Sequence, residues 1–157
     1  MFEEGKTNGF EFLPGFIDAR HTALDVVDQY YFGKKQGVFS REDETRWLQI
    51  EGKLTGATLQ LFREIEKKID SLLRCHIYAN WIRNGNLSGR HTDNTSVLLV
   101  QAWNSVGYTV ESLIGDKKHK SFVLQPGDAL YIQQGTWHTP VVLSERMTLS
   151  LSWFDGR

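Results

Sequence analysis

Apolar positions divide the chain into two textures. In the first half they recur at helical spacing. Leu24, Val27, Tyr30 and Tyr31 lie on one side of a segment starting at Asp18, with Gly33 as its expected stop. A second helical region is expected over 41–73, interrupted near 52–56. Its later part carries Leu59, Phe62, Ile65, Ile69, Leu72 and Leu73 as one stripe, with Arg63, Glu64, Glu66, Lys67, Lys68 and Asp70 opposite. That stripe predicts a helix packed on the outside of a sheet, its charges facing solvent. Residues 34–40, rich in charge and glycine, read as an exposed loop.

After Arg74 the period changes. Short β-rich runs are expected at 75–83, 95–103, 108–113, 121–124, 129–132, 139–143 and 147–154. Turn signals separate them at Asn84-Gly85, Asn104-Ser105, Gly115-Asp116, Pro126-Gly127 and Gln134-Gly135. One more strand, Phe10-Glu11-Phe12-Leu13, precedes the turn at Pro14-Gly15. Several short strands with regular punctuation predict a small barrel or sandwich. The fold class is therefore mostly β with N-terminal helices: helical support over roughly 18–73, a barrel over roughly 75–154, and a single domain spanning 1–157.

Composition narrows the function classes. With 157 residues, 40% of them apolar, and five Trp, nine Phe and five Tyr, the chain can bury a full core. A formal net charge of −1 leaves no expectation of nucleic acid as partner, because phosphate contacts need clustered Lys and Arg. Cys75 is the single cysteine, which predicts a reducing compartment. Residues 1–6 have no basic or apolar leader character, and no apolar run approaches the roughly 20 residues of a membrane span. A cytoplasmic protein with no membrane partner is expected.

The chemistry concentrates in two stretches. His91 and Asp93 stand two apart between a glycine-rich loop and the apolar run Val97-Leu98-Leu99-Val100. On a strand they would share a face, imidazole beside carboxylate. His138 follows the turn, strand and turn of 127–137. Two His and one Asp from neighbouring strands form the facial triad of a non-haem Fe(II) site, which leaves three coordination positions open. Eight residues beyond His138 comes Arg146, with Thr148 on the same strand face. A guanidinium beside a hydroxyl suits a buried carboxylate.

These residues carry a resemblance. Gly85, five residues and then His91-Thr92-Asp93 resembles the first cupin motif in its His-x-Asp form. The stretch from Gly127 to His138 resembles the second, with Gln133 where the family usually has proline. Together they resemble the Fe(II)/2-oxoglutarate-dependent oxygenases of the double-stranded β-helix superfamily, including the prolyl-hydroxylase-like and jumonji-C-like branches. The resemblance covers roughly residues 80–154. It implies a double-stranded β-helix flanked by supporting helices, with Fe(II) held by His91, Asp93 and His138. It further implies 2-oxoglutarate as cosubstrate, its far carboxylate on Arg146 with Thr148 as helper, and hydroxylation with release of succinate and CO2.

Asn80 falls on the Asn, tyrosine, glycine, His-x-Asp spacing of some members, with Ile82 where they have tyrosine; Tyr78, Trp81 or Tyr131 could take over that contact. Asn80 and Tyr131 are thus further cosubstrate candidates. The jumonji-type lysine position, about fifteen residues beyond the first histidine, holds Val106, which favours the arginine arrangement. The implied substrate is a peptide or protein side chain, or a small metabolite. It would be recognised by loops 34–40 and 104–108 and by Trp81, Trp103 and Trp137.

Two other readings stay open. A cupin metalloenzyme working without 2-oxoglutarate, as a dioxygenase or isomerase, would lack a carboxylate clamp. A non-catalytic cupin would leave the three ligand candidates apart. His21, His76 and His119 have no motif around them, and His119 lies among Lys117, Lys118 and Lys120. All three are expected to be structural.

Overall fold

A computed structural model describes residues 8–83, 89–112 and 119–153. Residues 1–6, both turn signals at Asn84-Gly85 and Gly115-Asp116, Lys117, Lys118, and the strand ends at Leu113 and Phe154 lie outside them. The elements run β1 (Phe10–Leu13), α1 (Ala23–Gln36), β2 (Phe39–Glu42), β3 (Arg46–Gln49), α2 (Gly56–Ile69), β4 (Leu73–Asn80), β5 (Val97–Trp103), β6 (Val106–Glu111), β7 (His119–Leu124), β8 (Ala129–Ile132), β9 (His138–Val141) and β10 (Arg146–Trp153). They form a seven-stranded sheet in the order β1-β8-β5-β10-β4-β3-β2 and a three-stranded sheet in the order β7-β6-β9. Every strand pairing is antiparallel.

Alternation along the strands sets the layers. On β4, Leu73, Cys75, Ile77 and Ala79 face one way; on β10, Met147, Leu149 and Leu151 join them. With Leu98, Val100 and Ala102 of β5, they pack against Val26 of α1 and Leu61 and Ile65 of α2. The opposite face is also covered. Val97, Leu99, Leu130 and Ile132 meet Val106, Tyr108, Val110 and Leu124 of the smaller sheet. The run Val97-Leu98-Leu99-Val100 is continuous because both faces of β5 are buried.

The intersheet layer changes character at one end. Asn80, Tyr78, Arg146, Thr148 and Gln101 come side by side there, since Arg146 pairs with Asn80 and Thr148 with both Tyr78 and Gln101. A register irregularity between Met147 and Thr148 marks this place on β10.

The C-terminal strands lie within a few residues of expectation, and three N-terminal expectations change. First, α1 starts at Ala23, where Thr22 caps it. Asp25 N donates to Thr22 Oγ1 at 3.3 Å and Thr22 N donates to Asp25 Oδ2 at 2.8 Å, a reciprocal capping box. The helix ends at Gly37, a left-handed cap, rather than at Gly33. Its inward residues are Val26, Gln29 and Gly33, while Leu24, Val27 and Tyr31 are exposed. Of the expected stripe only Tyr30 packs against the core, because the buried side is made by Val26 with an amide and a glycine.

Second, 34–40 is not an exposed loop: its first residues complete α1, Val38 is buried and Phe39 opens β2. Third, the first part of the region 41–73 is a β2–β3 hairpin. Asp43 closes its turn by accepting from the backbone N–H of Thr45 at 2.7 Å and of Arg46 at 3.1 Å. Only α2 is helical there, with Leu73 already in β4 and Leu72 exposed.

Candidate metal centre

His91 and Asp93 do not lie on a regular strand. His91 forms an isolated antiparallel bridge with His138, each backbone N–H donating to the other's carbonyl at 3.0 Å. That bridge, rather than a shared strand face, brings the rings together, with centroids 4.3 Å apart. Asp93 is held from the next turn, where Gly135 N donates to its carbonyl at 3.1 Å. Gly127, at the head of the same stretch, must be glycine: a Cβ there would stand 2.3 Å from the Ile17 carbonyl oxygen.

The three side chains converge. One ligand atom from each of His91, Asp93 and His138 lies within 4.8 Å of the other two. Asp93 Oδ2 is 3.2 Å from His138 Nε2, and Oδ1 is 3.8 Å from His91 Nε2. Both Nδ1 atoms are engaged by backbone carbonyls, His91 with Gly89 at 2.8 Å and His138 with Thr136 at 2.9 Å. With Nδ1 carrying the proton, each Nε2 lone pair faces the carboxylate, the arrangement that ligating histidines adopt. Burial raises the Asp93 carboxyl, but when His138 carries a proton on Nε2 its hydrogen bond and field, with His91 and His76 behind it, outweigh burial and hold the carboxyl below its ordinary value. Two neutral imidazoles and one carboxylate fit a divalent first-row ion with open positions.

Beside the triad lies a fixed cation. Arg146, 4% exposed, donates from Nε to Asn80 Oδ1 at 2.8 Å and from Nη1 to Thr148 Oγ1 at 2.7 Å. The Thr148 hydroxyl donates in turn to Gln101 Oε1 at 2.6 Å, and Gln101 Nε2 donates to the carbonyls of Trp103 and Asn104. Tyr108 faces this chain from β6. Burial pushes its hydroxyl up, against hydrogen bonding and the field of Arg146, so it remains protonated near neutrality. One cavity is lined by the triad, Arg146, Asn80, Tyr78 and Tyr108, with Leu99 and Pro140 as apolar wall and Arg46 of β3 at its side.

Tyr131 is the one expected cosubstrate residue not brought there. It points into the helix-side core from β8, its ring 6.3 Å from Trp153. Odd and even positions of this four-residue strand serve opposite layers, and the apolar run gives no sign of which is which. Of the tryptophans, Trp81 packs with Tyr30 and Trp47, Trp103 lies against the helix-side core, and Trp137 lies under Arg90. His21 bonds Thr58, His76 is on β4, and His119 is exposed on β7. Arg46 and Gln101 are not among the expected site residues, and Tyr108, expected at the end of a recognition loop over 104–108, reaches the cavity from strand β6 instead. Gln101 had a signal, a lone amide inside an apolar strand.

Residues 106–156 match the family model of the JmjC domain. No curated protein matches the chain. Solved structures do. The chain resembles YcfD, a ribosomal oxygenase from Escherichia coli in complex with cobalt and 2-oxoglutarate, with a TM-score of 0.54 and 23% identity over 72% of this chain and 33% of that one. Another YcfD structure aligns over 96% of this chain and 51% of its own, with a TM-score of 0.65 and 16% identity.

A Pseudomonas putida prolyl-4-hydroxylase aligns over 92% of this chain and 91% of its own, with a TM-score of 0.62 and 11% identity. The chain shares the double-stranded β-helix fold of these structures. Relative to YcfD this double-stranded β-helix spans about a third to a half of the longer chain.

Proposed function

We propose that this double-stranded β-helix protein is an Fe(II)- and 2-oxoglutarate-dependent oxygenase that hydroxylates a peptide or protein side chain, or a small metabolite. The observation that carries the reading is the meeting of His91, Asp93 and His138 within 4.8 Å in a cavity that the buried Arg146 also lines. Converged donors argue against a non-catalytic barrel, and a ready carboxylate clamp argues against a metalloenzyme that works without the oxoacid. The structure of YcfD with cobalt and 2-oxoglutarate supports a divalent metal and that oxoacid as the pair of ligands.

His91, Asp93 and His138 would hold the metal, and Arg146 with Thr148 and Asn80 would orient the cosubstrate. When bound, Fe(II) and 2-oxoglutarate supply the oxidising chemistry, in which the oxoacid is decarboxylated to succinate and CO2 and one oxygen atom of O2 reaches the substrate. The chain's own residues provide position and dryness. Carbonyls of Gly89 and Thr136 fix both imidazoles with Nε2 inward. The Arg146 fork can meet a carboxylate with directed N–H groups, and Thr148 holds that fork in place, accepting from Arg146 Nη1 while its own hydroxyl hydrogen is donated to Gln101. Tyr108, held protonated by burial, offers a donor from the facing sheet. Leu99 and Pro140 give the same cavity apolar surface.

A peptide or protein side chain is the favoured substrate class. The YcfD structures are those of a ribosomal oxygenase, and loops at the cavity mouth are the surface left to recognise it. A buried lone Cys75 accords with a reducing, cytoplasmic setting. Among the described residues no helix is long and apolar enough to cross a membrane.

The test is anaerobic titration of the protein with Fe(II) and then 2-oxoglutarate. A metal-to-ligand charge-transfer band is expected, and Arg146→Ala should weaken oxoacid binding by about tenfold or more while Fe(II) binding persists. Absence of the band from the wild-type protein would end this reading. His138→Ala should abolish succinate formation with its melting temperature little changed, since the ligand contributes modestly to a formed core.

A further inference from the structure

Gln101 is a fully buried amide in the apolar strand β5. Arg146 lines the cavity; Thr148 and Gln101 are not part of that lining. An amide that interrupts a core strand costs free energy unless each of its polar atoms is satisfied. Here both are. The two Nε2 hydrogens go to main-chain carbonyls, those of Trp103 and Asn104, each at 2.9 Å. Oε1 is therefore the atom that faces Thr148, at 2.6 Å.

That orientation fixes a direction for the whole relay. An amide oxygen only accepts, so the Thr148 hydroxyl donates to it and turns its lone pairs to Arg146. Arg146 Nη1 donates to Thr148 Oγ1 at 2.7 Å and Nε to Asn80 Oδ1 at 2.8 Å. Two fixed N–H groups set the plane of the guanidinium, and with it the direction in which the others reach a carboxylate.

The turn after β5 holds the far end of the relay. Asn104 has a left-handed backbone, with φ 52°, and its carbonyl accepts from Gln101. Its side chain donates to the carbonyl of Glu145 at 3.0 Å, one residue before Arg146. The register irregularity between β10 and β5 falls at the same place: Met147 pairs with Trp103 and Thr148 with Gln101, passing over Ala102. Irregularities of this kind re-aim side chains.

We propose that Gln101 is a positioning residue of the carboxylate clamp: through Thr148 it sets the rotation of the Arg146 guanidinium, and thereby the preference for a 2-oxoacid that carries a second carboxylate. This rests on the reading of Arg146 as the cosubstrate anchor. Gln101 touches neither metal nor oxoacid. A misrotated Arg146 keeps its charge and loses its directed hydrogen bonds, so Gln101 governs only the part of the affinity that the far carboxylate supplies.

The experiment measures binding of two oxoacids to the full chain loaded anaerobically with Fe(II), read from the charge-transfer band. 2-Oxoglutarate carries the far carboxylate, and pyruvate has the same oxoacid head without it. Gln101→Met keeps the length of the side chain and removes both amide atoms. It is expected to weaken 2-oxoglutarate binding about tenfold and to leave pyruvate and Fe(II) affinities within about twofold of wild type. Thr148→Val should do the same, while Thr148→Ser, which keeps the hydroxyl, should stay close to wild type. The double variant Gln101→Met/Thr148→Val should lose no more than either single variant, because both cut one relay.

Unchanged 2-oxoglutarate affinity in Gln101→Met would overturn the proposal. So would equal losses for 2-oxoglutarate and pyruvate, since the damage would then be general to the site. Additive losses in the double variant would also overturn it, because Gln101 would not be acting through Thr148. If Gln101→Met does not fold, the ratio of the two oxoacid affinities in Thr148→Val decides: a fall supports the relay and an unchanged ratio ends it. Failure of wild-type protein to bind 2-oxoglutarate, or full binding by Arg146→Ala, would instead strike the reading on which this one rests.

Discussion

Arg90 immediately precedes His91, and its guanidinium lies 3.9 Å over the ring of Trp137, which immediately precedes His138. The same guanidinium forks onto Glu111, with contacts of 2.5 and 2.9 Å. The two segments that carry the imidazoles are thus clasped just outside the centre by a cation on an aromatic face. Arg90→Ala should leave the fold intact and weaken Mn(II) or Fe(II) affinity by about tenfold, measured in competition with a chelating dye. Affinity equal to wild type would mean that the backbone bridge alone aligns the rings.

Cys75 behaves oppositely to an exposed thiol. Burial, and then the field of Glu66, pushes its pKa far up, so the thiolate is scarce. Ellman's reagent should leave Cys75 unmodified in the native protein and modify it in denaturant; rapid native reaction would mean the helix-side core opens. At this scale the sequence reveals motif residues well. His91, Asp93 and His138 could be grouped because turn signals and apolar runs fix their neighbourhood. Arg46 could not, since one arginine in the polar stretch 41–46 looks like any surface charge until pairing with β4 turns it inward.

Elements were legible where one period dominates. The strands after Arg74 are bounded by glycine and proline turns, and α2 by a clear amphipathic stripe. The β2–β3 hairpin was hidden because Ser40 to Thr45 is entirely polar and its turn depends on the Asp43 carboxylate. The orientation of α1 was hidden for another reason: beside Val26, its buried face carries Gln29 and Gly33. Gln29 donates to Gln49 Oε1 at 3.3 Å and to the Lys53 carbonyl at 2.8 Å, and accepts from Thr55 N at 2.9 Å. Hydrogen bonding replaces hydrophobicity there, and apolar periodicity cannot register it.

Gly33 belongs to this contact. A Cβ at that position would stand 2.3 Å from Gln49 Oε1 and 2.8 Å from the Phe39 ring. Gly33→Ala should therefore destabilise the protein by about 1–3 kcal/mol in urea, despite the helix propensity of alanine. Thr22→Ala, which removes one half of the capping box, should cost about 1 kcal/mol by the same measurement. A neutral Gly33→Ala would mean that the amide network shifts without penalty.

At the scale of the molecule, the larger sheet serves two different interiors. One face joins the helices in an apolar core; the other is apolar at one end and carries the cavity at the other. Alternation predicts such a division. Which strand positions take the polar end depends on pairing register, and that is why Asn80 and Arg146 could be expected at the site while Tyr131 was misplaced. Seen whole, we propose that helices and barrel act as one domain over 1–157; within the helical part, His21 ties the segment before α1 to α2.

The His21 ring bonds Thr58 of α2 at 2.9 Å. Burial lowers its pKa, with Asp25 opposing. A depressed histidine pKa means that the unfolded chain protonates first, so the stability is complete above about pH 6.5 and declines as pH falls below it. His76, also lowered by burial and by Arg74, adds in the same direction. Melting temperature should hold from pH 8 to about 7 and drop between about 6.5 and 5, and His21→Gln should make that drop shallower. A profile unaltered by the substitution would remove His21 from the explanation.

The two imidazole-bearing residues are also each other's backbone partners, through reciprocal N–H to carbonyl bonds of 3.0 Å. An ion shared by their rings would therefore staple a ladder rung that has no regular strand on its His91 side. Adding Mn(II) should slow solvent hydrogen exchange at the His91 and His138 amides together, while amides deep in β10 stay unaffected. Two backbone protons would then serve as a ligand-free gauge of occupancy.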